Sequence, residues 1–129
     1  MSPAKNSSGK KRILIVEDER PLAHALELKL GHEGYETVIA ATGTVGLKMA
    51  TEEQFDLILL DVILPELDGF SVLIQLKEKG NKTPVIILSN LGQDEDRAKA
   101  KALGAIDYMV KSNAPLADIV EAVKRSISH

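Results

Sequence analysis

Five polar side chains stand directly after short apolar runs and could act together. They are Glu17, Asp18, Asp61, Ser89 and Lys111. If the apolar runs are neighbouring parallel strands, their carboxyl ends share one edge of a sheet, and these side chains converge there. Converging carboxylates repel one another unless a cation lies among them. Mg²⁺ is the available hard cation for such oxygen ligands, so we expect it as the cofactor.

These residue types fit phosphoryl transfer. A carboxylate beside Mg²⁺ is a competent nucleophile toward phosphorus, while the metal and a lysine neutralise the phosphoryl oxygens and a hydroxyl donates one more hydrogen bond. Asp61, Lys111 and Ser89 fill these three catalytic roles. An aspartyl phosphate is an acyl phosphate, which water can hydrolyse to restore the carboxylate. The residues therefore predict a reversible phosphorylation switch on Asp61.

The apolar runs that would position this site are continuous rather than alternating. Such runs are typical of strands that are covered on both faces. The stretches between them are amphipathic, which predicts helices. A β-α unit repeated five times predicts an α/β fold with a doubly wound, five-stranded parallel sheet. The five runs span residues 13–16, 37–40, 57–60, 85–88 and 108–110.

Local signals mark several helix ends. Thr42 is a candidate N-cap for the second helix, and Asp68 with Gly69 predicts a turn and cap before the third. The fourth helix, from about Asp94 to Leu103, offers mainly alanines such as Ala98 and Ala102 to the sheet. These signals complete the set of helices that the predicted sheet needs.

Length and composition indicate one folded domain. The chain has 129 residues, of which 44% are hydrophobic and 27% charged, as in ordinary globular proteins. Residues 1–10 are polar and lack apolar periodicity, so we expect a flexible leader at 1–10 and the domain at 11–129.

Charge and hydropathy restrict the partners. Sixteen basic and 19 acidic residues are mixed along the chain, with no basic stripe, so we expect no direct nucleic-acid binding. There are no cysteines, which suits a reducing compartment. No apolar run approaches the roughly 18 residues of a membrane span, so we expect a cytoplasmic protein without membrane contact.

Four segments within residues 12–127 follow a known pattern: ILIVEDE, FDLILLDVILPELDGF, VIILSNL and GAIDYMVKS. In order and spacing they resemble the receiver domains of two-component response regulators, of which the single-domain chemotaxis response regulator is the minimal example. The resemblance implies a flavodoxin-like (βα)5 fold with strand order 2-1-3-4-5. It also implies that Mg²⁺ is held by Glu17, Asp18, Asp61 and the backbone carbonyl of Ile63.

The resemblance further implies partners and a switch. Asp61 would take its phosphoryl group from a sensor histidine kinase or a histidine phosphotransfer protein. Ser89 and Tyr108 would form the switch pair, the hydroxyl moving toward the phosphate and the ring following inward. The face of the fourth helix, fifth strand and fifth helix would contact an unidentified downstream protein, or form a phosphorylation-dependent homodimer. No enzymatic activity is expected beyond the domain's own phosphorylation and dephosphorylation.

The chain departs from the commonest receiver pattern at four positions. Glu17 stands for the first of two aspartates, and Ser89 stands for the more usual threonine. Asn90 follows where small residues are typical, so we expect narrowed access and poor reaction with small phosphodonors. Ser112 replaces the proline that usually follows the lysine, so the loop after Lys111 is expected to differ in shape.

Two apolar side chains predict a long phosphoryl lifetime. Ile63 lies two residues after the acceptor, and Leu91 lies two residues after the hydroxyl. Neither side chain can orient an attacking water. We therefore expect slow self-dephosphorylation compared with receivers that carry polar residues at these positions.

Three other functions compete with the receiver interpretation. A phosphatase of the haloacid-dehalogenase kind needs a second aspartate two residues after the first, where this chain has Ile63. A degenerate receiver that binds partners without phosphorylation usually lacks an acidic residue or the lysine, and this chain keeps both. A flavin-binding module would need a Ser/Thr-rich phosphate loop after the first strand, which the sequence does not contain.

Overall fold

The computed structural model describes residues 9–127, which alternate strands and helices. Gly9 and Lys10 belong to neither, and the rest of the predicted leader lies outside the described residues, so its boundary stays a prediction. None of the helices in the described part is long and apolar enough to cross a bilayer. The elements are β1 (Arg12–Val16), α1 (Arg20–His32), β2 (Glu36–Ala40), α2 (Gly43–Glu52), β3 (Leu57–Leu60), α3 (Gly69–Glu78), β4 (Val85–Ser89), α4 (Asp94–Ala102), β5 (Asp107–Val110), a 3₁₀ turn (Lys111–Asn113) and α5 (Leu116–Ile127).

The five strands form one parallel sheet in the order β2-β1-β3-β4-β5, which confirms the predicted doubly wound topology. Val16 at the end of β1 is in register with Leu60 at the end of β3. Ser89 at the end of β4 is in register with Val110 at the end of β5. Leu60 pairs with Ile87, so β4 runs two residues beyond the end of β3. The residues at these strand ends still meet at a single edge of the sheet.

The core lies in two layers, one on each face of the sheet, because successive strand residues point to opposite faces. Ile15 and Leu59 belong to the layer under α1 and α5. Leu14 and Ile58 belong to the layer under α2, α3 and α4. Burial on both faces explains why the strands are continuously apolar in sequence.

One prediction about helix α4, the identity of the alanines that face the sheet, is wrong. Ala98 and Ala102 are exposed, and the alanine that packs on the sheet is Ala100, which is 1% exposed. Leu103, just beyond the helix, also packs on the core. Ala100 and Leu103 are three residues apart and share a helix face, so Leu103 sets the phase of the buried stripe and turns the other two alanines to solvent.

A buried arginine ties together the amino edge of the sheet. The Arg12 Nε donates to Glu36 Oε2 at 2.7 Å and its Nη2 to Glu53 Oε1 at 2.9 Å. Its Nη1 donates to the carbonyl of Gln54 at 3.2 Å, and its guanidinium lies 4.7 Å from the centroid of the Phe55 ring. One side chain from β1 therefore contacts β2 and the segment that leads into β3.

The start of α3 packs directly on the backbone that carries Asp61. Asp68 caps the helix by accepting from the Ser71 amide at 2.9 Å, as the sequence predicted. The Gly69 amide donates to the Val62 carbonyl at 2.8 Å. A Cβ atom on Gly69 would lie 2.0 Å from the Asp61 carbonyl oxygen. Only glycine permits this approach, and it fixes the backbone after Asp61 against the helix.

We predict that Gly69→Ala lowers the free energy of unfolding by about 3 kcal/mol, because the added methyl overlaps backbone atoms that cannot turn away. Gly31→Ala is the matched control. It lies in α1 with nothing within 4 Å of an added Cβ, and should stabilise the protein by up to about 1 kcal/mol. Urea denaturation measures both changes, and equal midpoints for the two variants would contradict the packing argument.

Candidate functional site

The site lies at the carboxyl edge of the sheet, where backbone bonds continue the strand pairing by one residue. The Glu17 amide donates to the Ala40 carbonyl at 3.0 Å, and the Asp61 amide donates to the Val16 carbonyl at 3.0 Å. Ser89 is the last residue of β4, and Lys111 follows β5 directly. The sheet therefore holds the backbones of Glu17, Asp61 and Ser89 in fixed relative positions.

The ammonium group of Lys111 lies among three carboxylates. Its Nζ is 2.8 Å from Glu17 Oε1 and 2.7 Å from Asp61 Oδ2, and it also contacts the Glu19 carboxylate. The side chains of Glu17, Asp61 and Lys111 are 3%, 4% and 8% exposed. Two buried carboxylates thus share one buried cation, while Glu19 approaches it from the solvent side.

The pKa values of Glu17 and Lys111 are both raised, although burial acts on them in opposite directions. Burial raises the pKa of Glu17, although its bonds with Lys111 and the Glu19 amide oppose the rise. Burial alone would lower the pKa of Lys111, but hydrogen bonds to Asp61, Glu17 and Glu19 raise it above its ordinary value. Because the folded-state pKa of this lysine is raised, its stabilising contribution is fully present at neutral pH and is lost only in strong alkali.

The structure brings Glu19 into the site, a residue that we did not select from the sequence. Single carboxylate oxygens of Glu17, Glu19 and Asp61 lie within 4.8 Å of one another. Asp18 lies in the wall of the adjoining cavity, and its predicted metal role stays a prediction. The acidic run Glu17-Asp18-Glu19 is visible in the sequence, but the sequence does not indicate which of the three side chains points into the site. Three carboxylates carry more negative charge than one ammonium group neutralises, and their oxygens are the ligands that hard cations prefer. The site therefore fits a hard divalent cation.

An open cavity of about 300 Å³ leads to Asp61 and Lys111. Its other walls come from Asp18, Glu19, Ile63, Ser89 and Asn90. The Ile63 amide donates to Asp61 Oδ1 at 3.2 Å, and the Ile63 residue is 60% exposed. The cavity therefore joins all the predicted catalytic side chains and is bordered by Ile63 at its mouth.

A strained turn shapes the loop beyond Ile63. The Leu67 amide donates to the Pro65 carbonyl at 2.8 Å, with Glu66 between them at φ 71°. A left-handed, non-glycine residue at the centre of such a γ-turn costs on the order of 1–3 kcal/mol. The Gly43 amide also donates to the Pro65 carbonyl, at 3.2 Å. Helix α2 thereby holds this loop in its strained shape.

The predicted switch residues are connected through Leu91. Ser89 is fully buried, and its Oγ accepts from the Leu91 amide at 3.4 Å. The Tyr108 hydroxyl donates to the Leu91 carbonyl. Burial raises the pKa of Tyr108 further above neutrality, and its hydroxyl is a hydrogen-bond donor at neutral pH. Arg97 covers the ring at 5.2 Å and donates to the Tyr108 carbonyl at 3.3 Å.

The two loops beside the cavity are joined by the residues that depart from the receiver pattern. Asn90 Oδ1 accepts from the Ser112 amide at 3.1 Å. The 3₁₀ turn at Lys111–Asn113 presents this amide. All peptide bonds in the part of the chain that the structure describes are trans. The segment after Ser89 is therefore attached to the segment after Lys111.

A doubly wound sheet that carries an aspartate, a lysine and a hydroxyl at its carboxyl edge defines a class of phosphoacceptor switch domains. A family model described as "Response regulator receiver domain" matches residues 13–124. The chain belongs to this family, which confirms the resemblance, the fold and the expected role of a receiver in phosphorelay signalling.

Known proteins support this assignment. The chain is 44% identical over 102 residues to the uncharacterized transcriptional regulatory protein YkoG of Bacillus subtilis (strain 168), covering 79% of this chain and 45% of that protein. The Francisella response regulator 1452 receiver domain superposes with a TM-score of 0.88 at 28% identity, covering 92% and 98% of the two chains. The response regulator protein TrrA of Thermotoga maritima, in complex with Mg(2+)-BeF, has a TM-score of 0.79 at 31% identity, covering 90% and 98%. The chain thus spans about half the length of the curated relatives it matches.

We predict that Lys111→Met lowers the free energy of unfolding by about 2 kcal/mol, because Glu17 and Asp61 lose their shared cation. The cost stays below the roughly 3–5 kcal/mol of a fully enclosed pair, since the cavity beside these side chains is open to solvent. Adding Glu17→Gln to Lys111→Met should recover part of the loss. The exposed control Lys48→Met should change little, and a Lys111→Met denaturation curve that matches the parent would contradict the prediction.

Proposed function

We propose that Asp61 is the phosphoryl acceptor of this receiver, in a Mg²⁺-dependent reaction with a phosphohistidine of a sensor histidine kinase or histidine phosphotransfer protein. The observation that carries the proposal is the Asp61 carboxylate, 4% exposed at the end of an open cavity and 2.7 Å from the Lys111 ammonium. It is a buried nucleophile with a path to solvent and a fixed cation beside it.

The chain's own side chains divide the work. One carboxylate oxygen of Asp61 forms a bond to phosphorus as the phosphorus–nitrogen bond of the phosphohistidine breaks, and the imidazole leaves. Lys111 is placed to neutralise charge on the phosphoryl oxygens. Ser89, at the end of β4, has its hydroxyl hydrogen to donate to one of them, since in its present bond with the Leu91 amide its oxygen is the acceptor.

The carboxylate and carbonyl oxygens around Asp61 also fit a divalent ion. Glu17, Asp18, Asp61 and the Ile63 carbonyl would hold Mg²⁺, and Glu19 would add negative charge from the solvent side. When bound, Mg²⁺ supplies positive charge to the phosphoryl oxygens. Phosphorylation of Asp61 by the donor protein and hydrolysis of the acyl phosphate are then reactions that the domain promotes on its own side chain.

Phosphorylation would pass to the surface through Leu91. A Ser89 hydroxyl that turns toward the phosphate releases the Leu91 amide, whose carbonyl holds Tyr108. The face formed by α4, β5 and α5 would then present a changed surface to a downstream protein or to a second copy of the chain. We propose no nucleic-acid or membrane contact by this domain itself, and a cytoplasmic location.

We predict that the parent protein gains one phosphoryl group when incubated with a phosphorylated histidine kinase and Mg²⁺, and that Asp61→Ala and Asp61→Asn gain none. Intact-mass measurement reports the change directly. Glu78→Gln is the matched carboxylate control at the end of α3 and should behave like the parent. Modification of Asp61→Asn would place the acceptor elsewhere. No modification with several competent kinases, and no spectral response to beryllofluoride with Mg²⁺, would favour a degenerate receiver that binds partners without phosphorylation.

We further predict a long phosphoryl lifetime, because the apolar side chains of Ile63 and Leu91 cannot orient a water molecule for attack. Replacing both with polar residues, Ile63→Asn and Leu91→Glu, should speed loss of the phosphoryl group by roughly tenfold or more. Intact mass against time after removal of the donor measures the rate. Ile106→Asn, an exposed isoleucine away from the cavity, serves as the control, and an unchanged rate in the double variant would rule out the explanation.

A further inference from the structure

The hydrogen bond between Asn90 and Ser112 lies beside the cavity that leads to Asp61. It joins the loop between β4 and α4 to the turn after β5, two segments that are 22 residues apart in sequence. Asn90 itself lines the cavity. Ser89 precedes Asn90 and Lys111 precedes Ser112, so the bond connects the segments that carry the hydroxyl and the ammonium group.

The bond depends on both residue types. Its donor is a backbone amide, which a proline at position 112 would lack. Its acceptor is the Asn90 side-chain oxygen, which a small residue at position 90 could not extend across the gap. The departures of this chain from the common receiver pattern at positions 90 and 112 are thus the two halves of one contact.

The contact borders the cavity through Asn90, which forms only part of its wall. Glu19 reaches the Lys111 ammonium on another side, while Ile63 is 60% exposed at the mouth. We propose that Asn90 and Ser112 form a strap that selects among phosphodonors, slowing small free donors such as acyl phosphates relative to a protein donor. This inference rests on the proposed role of Asp61 and concerns access to it.

The free energy of this one hydrogen bond sets the expected size of the change in phosphorylation rate. A single exposed hydrogen bond shifts the balance between closed and open loops by roughly two- to tenfold. A small donor reacts faster with the open form, because the strap narrows its approach to Asp61 and it has little binding energy with which to displace the strap. A docked protein donor makes contacts beyond the cavity and can hold the open form by its greater affinity for it.

The test compares two donors on five proteins: the parent, Asn90→Ala, Ser112→Pro, the double variant and Ser112→Ala. Ser112→Ala keeps the backbone amide and is the matched control. With acetyl phosphate, an Asp61 oxygen takes the phosphoryl group as the phosphorus–oxygen bond to the acetyl group breaks and acetate leaves. Intact mass against time gives the rate with acetyl phosphate, and the same measurement is made with a phosphorylated histidine kinase.

We expect Asn90→Ala and Ser112→Pro each to raise the acetyl phosphate rate roughly two- to tenfold, with little change in the kinase rate. The double variant should be no faster than either single variant, because each removes the same bond. Ser112→Ala should match the parent. A rise in Asn90→Ala alone would assign the effect to side-chain bulk, and equal rates in all five proteins would also overturn the strap.

Amide hydrogen exchange at Ser112 tests the bond without any phosphorylation. Exchange should be faster in Asn90→Ala than in the parent, and equal exchange would overturn the strap at the structural level. Failure of the proposed function looks different, since no protein in the set would then gain a phosphoryl group from either donor. Faster exchange together with that failure would leave a hydrogen bond with no role in access, which also overturns the proposal.

Discussion

Lys111 supplies the positive charge that allows two carboxylates to lie buried at the edge of the sheet. Glu17 and Asp61 are nearly inaccessible, and each is within 3 Å of its ammonium group. Without that cation the two side chains would repel one another and would also lose their solvation. The same arrangement leaves an excess of negative charge, since Glu19 and Asp18 are close by. A site that is stable without a metal ion is therefore also attractive to one.

The parallel sheet is what makes this arrangement possible. Strands β1, β3, β4 and β5 all end at the same edge, with β4 and β5 running two residues beyond β1 and β3, so residues distant in sequence meet there. The apolar strands are buried on both faces, which fixes their register and hence the positions of the polar residues that follow. Gly69 and the strained turn at Glu66 then hold the loop beyond Asp61 against α3 and α2. The chemistry depends on backbone geometry that the core determines.

Much of this organisation could be predicted from the sequence because its signals are local. Continuous apolar runs gave strands within one residue of their observed ends, and the polar residues that follow them gave the site. Other features depend on contacts between distant segments. The buried face of α4 follows from Leu103 rather than from the alanine spacing, and Glu19 joins the site because of how the loop after β1 turns. The bond between Asn90 and Ser112 links two positions that looked like unrelated departures until the loops were placed side by side.

The Arg12 network lies at the opposite end of the sheet from the site, about 16 Å from Glu17 along β1, since each strand residue advances roughly 3.3 Å. It secures the amino edge with charged groups that play no part in the proposed chemistry. We therefore expect mutations at the amino edge to affect mainly stability, and mutations around the cavity to affect mainly the proposed chemistry. Changes that strengthen the amino edge can offset destabilising changes around the cavity, because among the residues that the structure describes the two regions share no contacts through Arg12.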